Sequence, residues 1–123
     1  MALQESGEMY LETILILSRK NGRVRSIDIS EHMGYSKPSV SRAVGLLKQD
    51  AFIIVEKDGS IHLTDKGLAL AEKILNRHTI LTQMLIDLGI SRETASNDAC
   101  RIEHVISDET FEAIRNHMLK HNS

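Results

Sequence analysis

Cysteine, proline and aromatic residues are all scarce in this sequence of 123 residues. The single cysteine, Cys100, excludes a disulfide within the chain, which leaves a buried small hydrophobic residue, a reactive thiol or a metal ligand. Aromatic residues make up only 3% whereas all hydrophobic residues make up 41%, so we expect an aliphatic core. The most apolar run, "YLETILIL", contains Glu12 and is far shorter than the roughly 18 residues of a membrane span.

Marks of export and of common enzyme classes are also missing. The segment "MALQESGEMY" has no basic stretch followed by an apolar core and a small-residue cleavage site, so we expect a cytoplasmic protein. There is no His-Glu-x-x-His run and no glycine-rich phosphate loop. We therefore expect a protein that is not an enzyme.

Charge is unevenly distributed along the chain. The net charge of −2 argues against binding nucleic acid through bulk charge alone. Between residues 19 and 48, however, seven residues are basic and only two are acidic. Such a basic segment is typical of phosphate binding, although a solvated charged face would also account for it.

Hydrophobic spacing and capping residues predict three helices, a β-hairpin and three further helices. The predicted helices cover 6–20, 27–33, 37–50, 65–88, 92–106 and 108–121, the strands cover 52–56 and 60–63, and the caps are Ser6, Ser26, Ser36, Thr64, Ser91 and Ser107. Asp58-Gly59 indicates a type I′ turn between the strands.

This order predicts a mainly α protein with a small β-hairpin wing. Two short helices joined at Gly34 form a helix-turn-helix, and the hairpin that follows makes it a winged helix. We predict a winged helix-turn-helix DNA-binding domain over 1–70 and a second, helical domain over 71–123.

The second helix of a helix-turn-helix places its N-terminal residues near base edges in the major groove of DNA. Hydroxyls and a proline ring permit close approach, Arg42 can bind guanine, and other cations can reach phosphates. The predicted DNA-binding residues are Arg25, Ser36, Lys37, Pro38, Ser39, Ser41, Arg42 and Lys57. The apolar residues expected to face the core are Val40, Ala43, Val44, Leu46 and Leu47. The alternative is a small helical domain whose serines only cap helices.

The segment "DACRIEHVISDE" carries a thiol, a carboxylate and an imidazole at Cys100, Glu103 and His104. On a helix, positions i, i+3 and i+4 share one face, so the three donors converge. This mixture suits Fe(II), Co(II), Ni(II) or Zn(II) better than Ca(II) or Mg(II). Further ligands must come from other helices, and the candidates are Met9, Glu12 and His78. Taken singly, Met9 is more often a core residue and His78 more often a half-exposed histidine than a metal ligand.

Five blocks in this order resemble the diphtheria toxin repressor family of metal-dependent transcription factors, including its smaller manganese transport regulators. They are "EMYLETI", "IDISEHMGYSKPSVSRAV", "LTDKGLALA", "RHTILTQML" and "NDACRIEHVISDE". The resemblance implies a winged-helix domain followed by a helical metal-binding and dimerisation domain. It also implies repression of metal homeostasis genes when Fe(II) or Mn(II) is bound.

The resemblance also implies a set of metal ligands. Iron-type members have a methionine and a Cys-x-x-Glu-His helix, matched by Met9, Cys100, Glu103 and His104. Manganese-type members have a carboxylate and a histidine, matched by Glu12 and His78, but Asp in place of Met9 and Glu in place of Cys100. The second site of the iron regulators is matched only by His78, since Thr82 and Ser96 stand where Glu and His are expected. Glu12, His78 and Glu103 form a possible replacement.

We expect Fe(II) as the most favoured metal, because two sulfur donors suit Fe(II) better than Mn(II); Zn(II), Co(II) and Ni(II) would also bind in vitro. Bound metal is expected to order a homodimer so that its two DNA-binding domains fit operator half-sites about one helical turn apart. The expected dimer contacts are Val105, Ile106, Phe111, Ile114 and Met118. The alternatives are a metal-independent winged-helix regulator with Cys100 as a redox switch, and a metalloenzyme built on the same cluster.

Overall fold

A computed structural model describes residues 5–121, and the side chains of residues 6–120. The described residues form six helices and one antiparallel hairpin, which confirms the predicted order and fold class. The elements are α1 (Glu5–Asn21), α2 (Ser26–Met33), α3 (Lys37–Gln49), β1 (Ile53–Val55), β2 (Ile61–Leu63), α4 (Asp65–Asp87), α5 (Arg92–Ile102) and α6 (Asp108–His121). Among the described helices, none is both long and apolar enough to cross a membrane.

The chain divides into two compact units, Met1–Glu72 and Lys73–Ser123. In the first unit, α1 packs against α2, α3 and β2. Its buried side chains are mostly aliphatic and include Leu11, Ile14, Val24, Ile29, Val40 and Ile53. In the second unit the buried side chains come from all three helices and include Ile74, Leu81, Ala95, Ala99, Phe111 and Met118.

The helix-turn-helix is built on the residues that the sequence indicated, with one shift. Gly34 adopts φ +72° and its N–H donates to Ser30 O at 2.9 Å, which ends α2. Ser36 caps α3, since its hydroxyl accepts a hydrogen bond from the N–H of Ser39. The prediction that Ser26 caps α2 is wrong. The cap is Arg25, whose N–H donates to the Asp28 carboxylate at 2.9 Å, so α2 already begins at Ser26.

Helix α1 also differs from its predicted start, because Ser6 lies inside the helix. At the other end, Gly22 adopts φ +76° and its N–H donates to Ser18 O at 2.9 Å. The predicted end of α1 beside Gly22 is therefore confirmed, and Ser6 is not its cap.

The hairpin pairs Ile53 with Leu63 and Val55 with Ile61. The predicted type I′ turn is wrong, because that turn needs positive φ at both central residues and Asp58 does not have it. Instead the N–H of Gly59 donates to Glu56 O at 2.9 Å, and Gly59 has φ +89°. This is a three-residue loop, in which glycine supplies the left-handed residue that closes the wing.

Arg23 anchors this wing. Its guanidinium donates to the Asp58 carboxylate at 2.7 Å and to the Ser60 hydroxyl at 3.0 Å. Hydrogen bonds from Ser60, together with the positive charge of Arg23, hold the pKa of Asp58 below its usual range. Arg23, which belongs to the basic segment, is therefore engaged within the domain.

In the second unit, α5 is shorter than predicted. Ser91 and Ser107 cap α5 and α6 as expected, accepting from Thr94 N and Thr110 N. However, α5 ends at Ile102, four residues before the predicted end at Ile106. The amides of Val105 and Ile106 both donate to Ile102 O, so the chain tightens into a turn there.

Candidate metal centre

Cys100, Glu103 and His104 lie together where α5 ends. Cys100 is in the last turn of α5, Glu103 is the residue after it, and His104 begins the following turn. Glu103 keeps helical dihedrals, φ −59° and ψ −25°, and its N–H still donates to Ala99 O at 2.9 Å. The helical spacing therefore persists past Ile102, and the ligand atoms of the three residues lie within 4.8 Å of one another.

Glu103 is the most unusual member of this cluster, because it is only 1% exposed. Carboxylates are rarely buried to this extent unless they are paired or bind a metal. Its Oε2 lies 2.9 Å from His78 Nδ1 and its Oε1 lies 3.3 Å from His104 Nε2. No described residue donates a hydrogen bond to Oε1. A buried carboxylate oxygen with remaining acceptor capacity, beside a thiol and an imidazole, fits a divalent transition metal.

His78 on α4 contacts two residues of the α5 segment, Ser96 within the helix and Glu103 at its C-cap. Besides its contact with Glu103, its Nε2 lies 3.4 Å from the Ser96 hydroxyl. Thr82, one turn further along α4, has a buried hydroxyl oxygen that makes no hydrogen bond within the described part of the chain. Of the three residues suggested for a replacement second site, His78 and Glu103 contact one another through their side chains.

Met9 and Glu12 belong to the first unit and lie three residues apart on α1, which places them on one face of that helix. Met9 is half-buried and Glu12 is 8% exposed. Glu12 is thus a second carboxylate in a buried position, a residue type that seldom lies there without a compensating charge.

Arg77 was not identified from the sequence, although it contacts the main chain of the cluster. It is 7% exposed and donates to Glu103 O at 3.2 Å and to Ile106 O at 3.0 Å. Arginine is usually exposed, so its residue type alone gives no sign of burial. The signal in the sequence is its position, three residues after Ile74 and four before Leu81, which are both buried.

The eight predicted DNA-binding residues are all exposed in the first unit. They comprise four cations, three serines and Pro38, and Ser36 also serves as the cap of α3. The core side of α3 is formed by Val40, Val44 and Leu47, as predicted. The prediction for Leu46 is wrong, since it is 56% exposed. Leu46 is six residues after Val40, so helix geometry places it about 240° from Val40 around the axis of α3, away from the buried face.

Two family models match consecutive parts of the chain. Residues 2–61 match the iron dependent repressor N-terminal DNA binding domain. Residues 64–122 match the iron dependent repressor metal binding and dimerisation domain. Together the two matches cover nearly all of the sequence.

Individual proteins are similar along most of the chain. A diphtheria toxin repressor from Corynebacterium jeikeium is 36% identical over 108 residues, which is 87% of this chain and 45% of that protein. The transcriptional regulator MntR from Escherichia coli is 34% identical over 114 residues, 93% of this chain and 74% of that protein. A solved structure of the manganese regulator SloR superposes with a TM-score of 0.82 at 27% identity, covering 96% of this chain and 54% of that one. The chain thus spans about half the length of several curated relatives.

Proposed function

Since the chain belongs to the iron-dependent repressor family, we propose that it represses transcription by binding operator DNA as a homodimer when Fe(II) or Mn(II) is bound. The observation that carries this proposal is the cluster of Cys100, Glu103 and His104, with a buried carboxylate at its centre. The match to a metal-binding and dimerisation domain favours this function over a winged-helix regulator that senses no metal.

We propose Cys100, Glu103 and His104 as ligands of the primary site, with Met9 as a fourth, and Glu12 and His78 as ligands of the same or an adjacent ion. A divalent ion supplies a fixed positive charge that compensates the buried carboxylate and a thiolate. In the described chain, His78 already orients Glu103 through its Nδ1. Histidine–carboxylate contacts of this kind set the direction of a ligand and are part of many metal sites.

Exposed apolar side chains of the second unit support a homodimer. Val105 is 75% exposed and Leu119 is 58% exposed. By contrast Phe111 and Met118, which the sequence suggested as dimer contacts, are buried within the single chain. We therefore place the dimer contacts on the exposed side chains rather than on Phe111 and Met118.

Fe(II) is the favoured metal in this proposal because sulfur donors stabilise it more than Mn(II), which stands lowest in the divalent affinity order. Operator binding titrated anaerobically with Fe(II) and Mn(II) tests this, using a duplex selected from a random library by the protein itself. Changing both Met9→Asp and Cys100→Glu is expected to shift the ratio of activating concentrations toward Mn(II) by about tenfold or more.

The matched control is Met9→Leu with Cys100→Ser, which removes both sulfur donors without adding carboxylates. It is expected to weaken activation by both metals rather than to exchange their order. An unchanged Fe(II) to Mn(II) ratio in the carboxylate variant would show that sulfur does not set the preference.

Arg42 provides the test of the DNA interface. If it donates two hydrogen bonds to a guanine, Arg42→Ala weakens binding to the selected duplex by roughly tenfold to a hundredfold. It also relaxes discrimination at one base pair, which competition with duplexes substituted at each position will reveal. Arg92→Ala removes an exposed cation of the second unit and is expected to leave affinity unchanged. Equal losses on every duplex would mean that Arg42 contacts phosphate only.

A further inference from the structure

We propose that Arg77 is a positioning residue for the metal centre: it holds the main chain at the end of α5 and thereby sets where Glu103 and His104 present their ligand atoms. This inference rests on the proposed function, because it concerns the same site. Arg77 itself is not a ligand.

Arg77 binds a pair of carbonyl groups beside the cluster. Its Nη1 donates to Glu103 O at 3.2 Å and to Ile106 O at 3.0 Å. Carbonyls at the end of a helix have no amide four residues ahead to bind them, and a cation is favourable there. Arg77 therefore binds the carbonyl of Glu103, the C-cap of α5, and that of Ile106, two residues before α6, on both sides of His104.

The other edge of the Arg77 guanidinium contacts two residues of α6. Nη2 pairs with the carboxylate of Asp108, the first residue of α6, and the guanidinium carbon lies 5.2 Å from the centre of the Phe111 ring. One side chain of α4 thus contacts the turn at 103–106 and the start of α6. The planar guanidinium donates in several directions at once, whereas a lysine ammonium acts as a single charge.

Arg77 and the next residue of α4, His78, both contact Glu103. His78 Nδ1 lies 2.9 Å from the Glu103 side chain, while Arg77 binds the Glu103 main chain. Two consecutive residues of α4 therefore restrain the same glutamate at its carboxylate and at its backbone. Loss of either restraint leaves the ligand present but less well directed, and such indirect partners typically change metal affinity by roughly ten- to a hundredfold.

Lys73 offers a matched control, because it lies one turn earlier on α4 and pairs with the same Asp108 at 3.1 Å. It is about half exposed, and its ion pair is with Asp108. Lys73→Met removes a cation beside Asp108 as Arg77→Met does, but leaves the hydrogen bonds to Glu103 O and Ile106 O in place.

The experiment measures Co(II) binding to the full chain through the thiolate-to-cobalt charge-transfer absorption of Cys100, with Cys100→Ser as the blank. Arg77→Met is expected to weaken Co(II) binding by about ten- to a hundredfold and to change the band. Lys73→Met is expected to keep the wild-type affinity and spectrum. Thermal unfolding of each metal-free protein records stability separately.

The outcomes are distinct. Arg77→Met with lowered stability but wild-type Co(II) affinity and spectrum overturns the proposal, since Arg77 would then serve the fold alone. If Arg77→Met does not fold, Arg77→Lys decides: weakened Co(II) binding supports the proposal and wild-type binding overturns it. If wild-type protein shows no band that depends on Cys100, the proposed metal centre fails, and the role of Arg77 fails with it.

Discussion

Replacing Glu103 by alanine is expected to abolish metal-dependent binding to operator DNA. Its side chain is fully buried, contacts His78 and His104, and is the carboxylate of the proposed ligand cluster. Without it, the proposed site lacks one negative charge and one ligand atom, and the thiol of Cys100 and the imidazole of His104 remain. We expect metal-stimulated affinity for the selected duplex, measured by fluorescence anisotropy, to fall by at least about a hundredfold.

The fold is expected to survive this change, because a carboxylate is costly to bury and its removal offsets part of the packing and the His78 hydrogen bond that are lost. Circular dichroism and thermal unfolding of the metal-free protein check this. Glu109→Ala serves as control, since Glu109 is an exposed acidic residue in the first turn of α6. If Glu103→Ala still responds to Fe(II) and Mn(II) as the wild type does, the site does not lie at the end of α5.

Replacing Gly67 by alanine is expected to lower stability more than the same change at Gly22, Gly34, Gly45 or Gly59, where an added Cβ meets nothing within 4 Å. A Cβ at Gly67 would lie 2.0 Å from the carbonyl oxygen of Phe52 and 2.9 Å from its carbonyl carbon. Both are main-chain atoms at the start of the wing, so no side-chain rotation relieves the overlap. We expect the free energy of unfolding to fall by about 3 kcal/mol or more, measured by urea titration.

Gly45 is the matched control for this prediction. It lies in the middle of α3, and a Cβ there would meet nothing within 4 Å. Gly45→Ala is therefore expected to raise stability by about 0.5–1 kcal/mol, as alanine does in helices generally. Equal effects of the two substitutions would show that the approach of α4 to Phe52 is not as close as the structure has it.

Local chemistry made the secondary structure predictable. Ser36, Ser91 and Ser107 each cap the helix that they were expected to cap, because a hydroxyl bound to a nearby amide depends only on residues a few positions away. Gly34 ends α2 for the same reason. The two wrong predictions of this kind also have local causes. The Asp28 carboxylate accepts from the N–H of Arg25, which makes Arg25 the cap of α2, and the hydrogen bond from Gly59 N to Glu56 O closes a three-residue loop at the wing.

The burial of side chains was less predictable from the sequence than the secondary structure. Leu46 and Leu47 are neighbouring leucines, yet Leu46 is 56% exposed and Leu47 is 2% exposed. Phe111 and Met118 are apolar enough for either a core or a dimer contact, and only their packing in the single chain assigns them to the core.

The sequence by itself determined that Cys100, Glu103 and His104 share one side of a helical turn, because that follows from the period of the helix. It also determined the order of the elements and the resemblance to metal-dependent repressors. Only the tertiary structure decided that Glu103 is buried, that His78 meets its carboxylate and that Arg77 holds its main chain. Those contacts join residues about 25 positions apart on different helices. Their formation depends on how α4 and α5 pack, which no local pattern specifies.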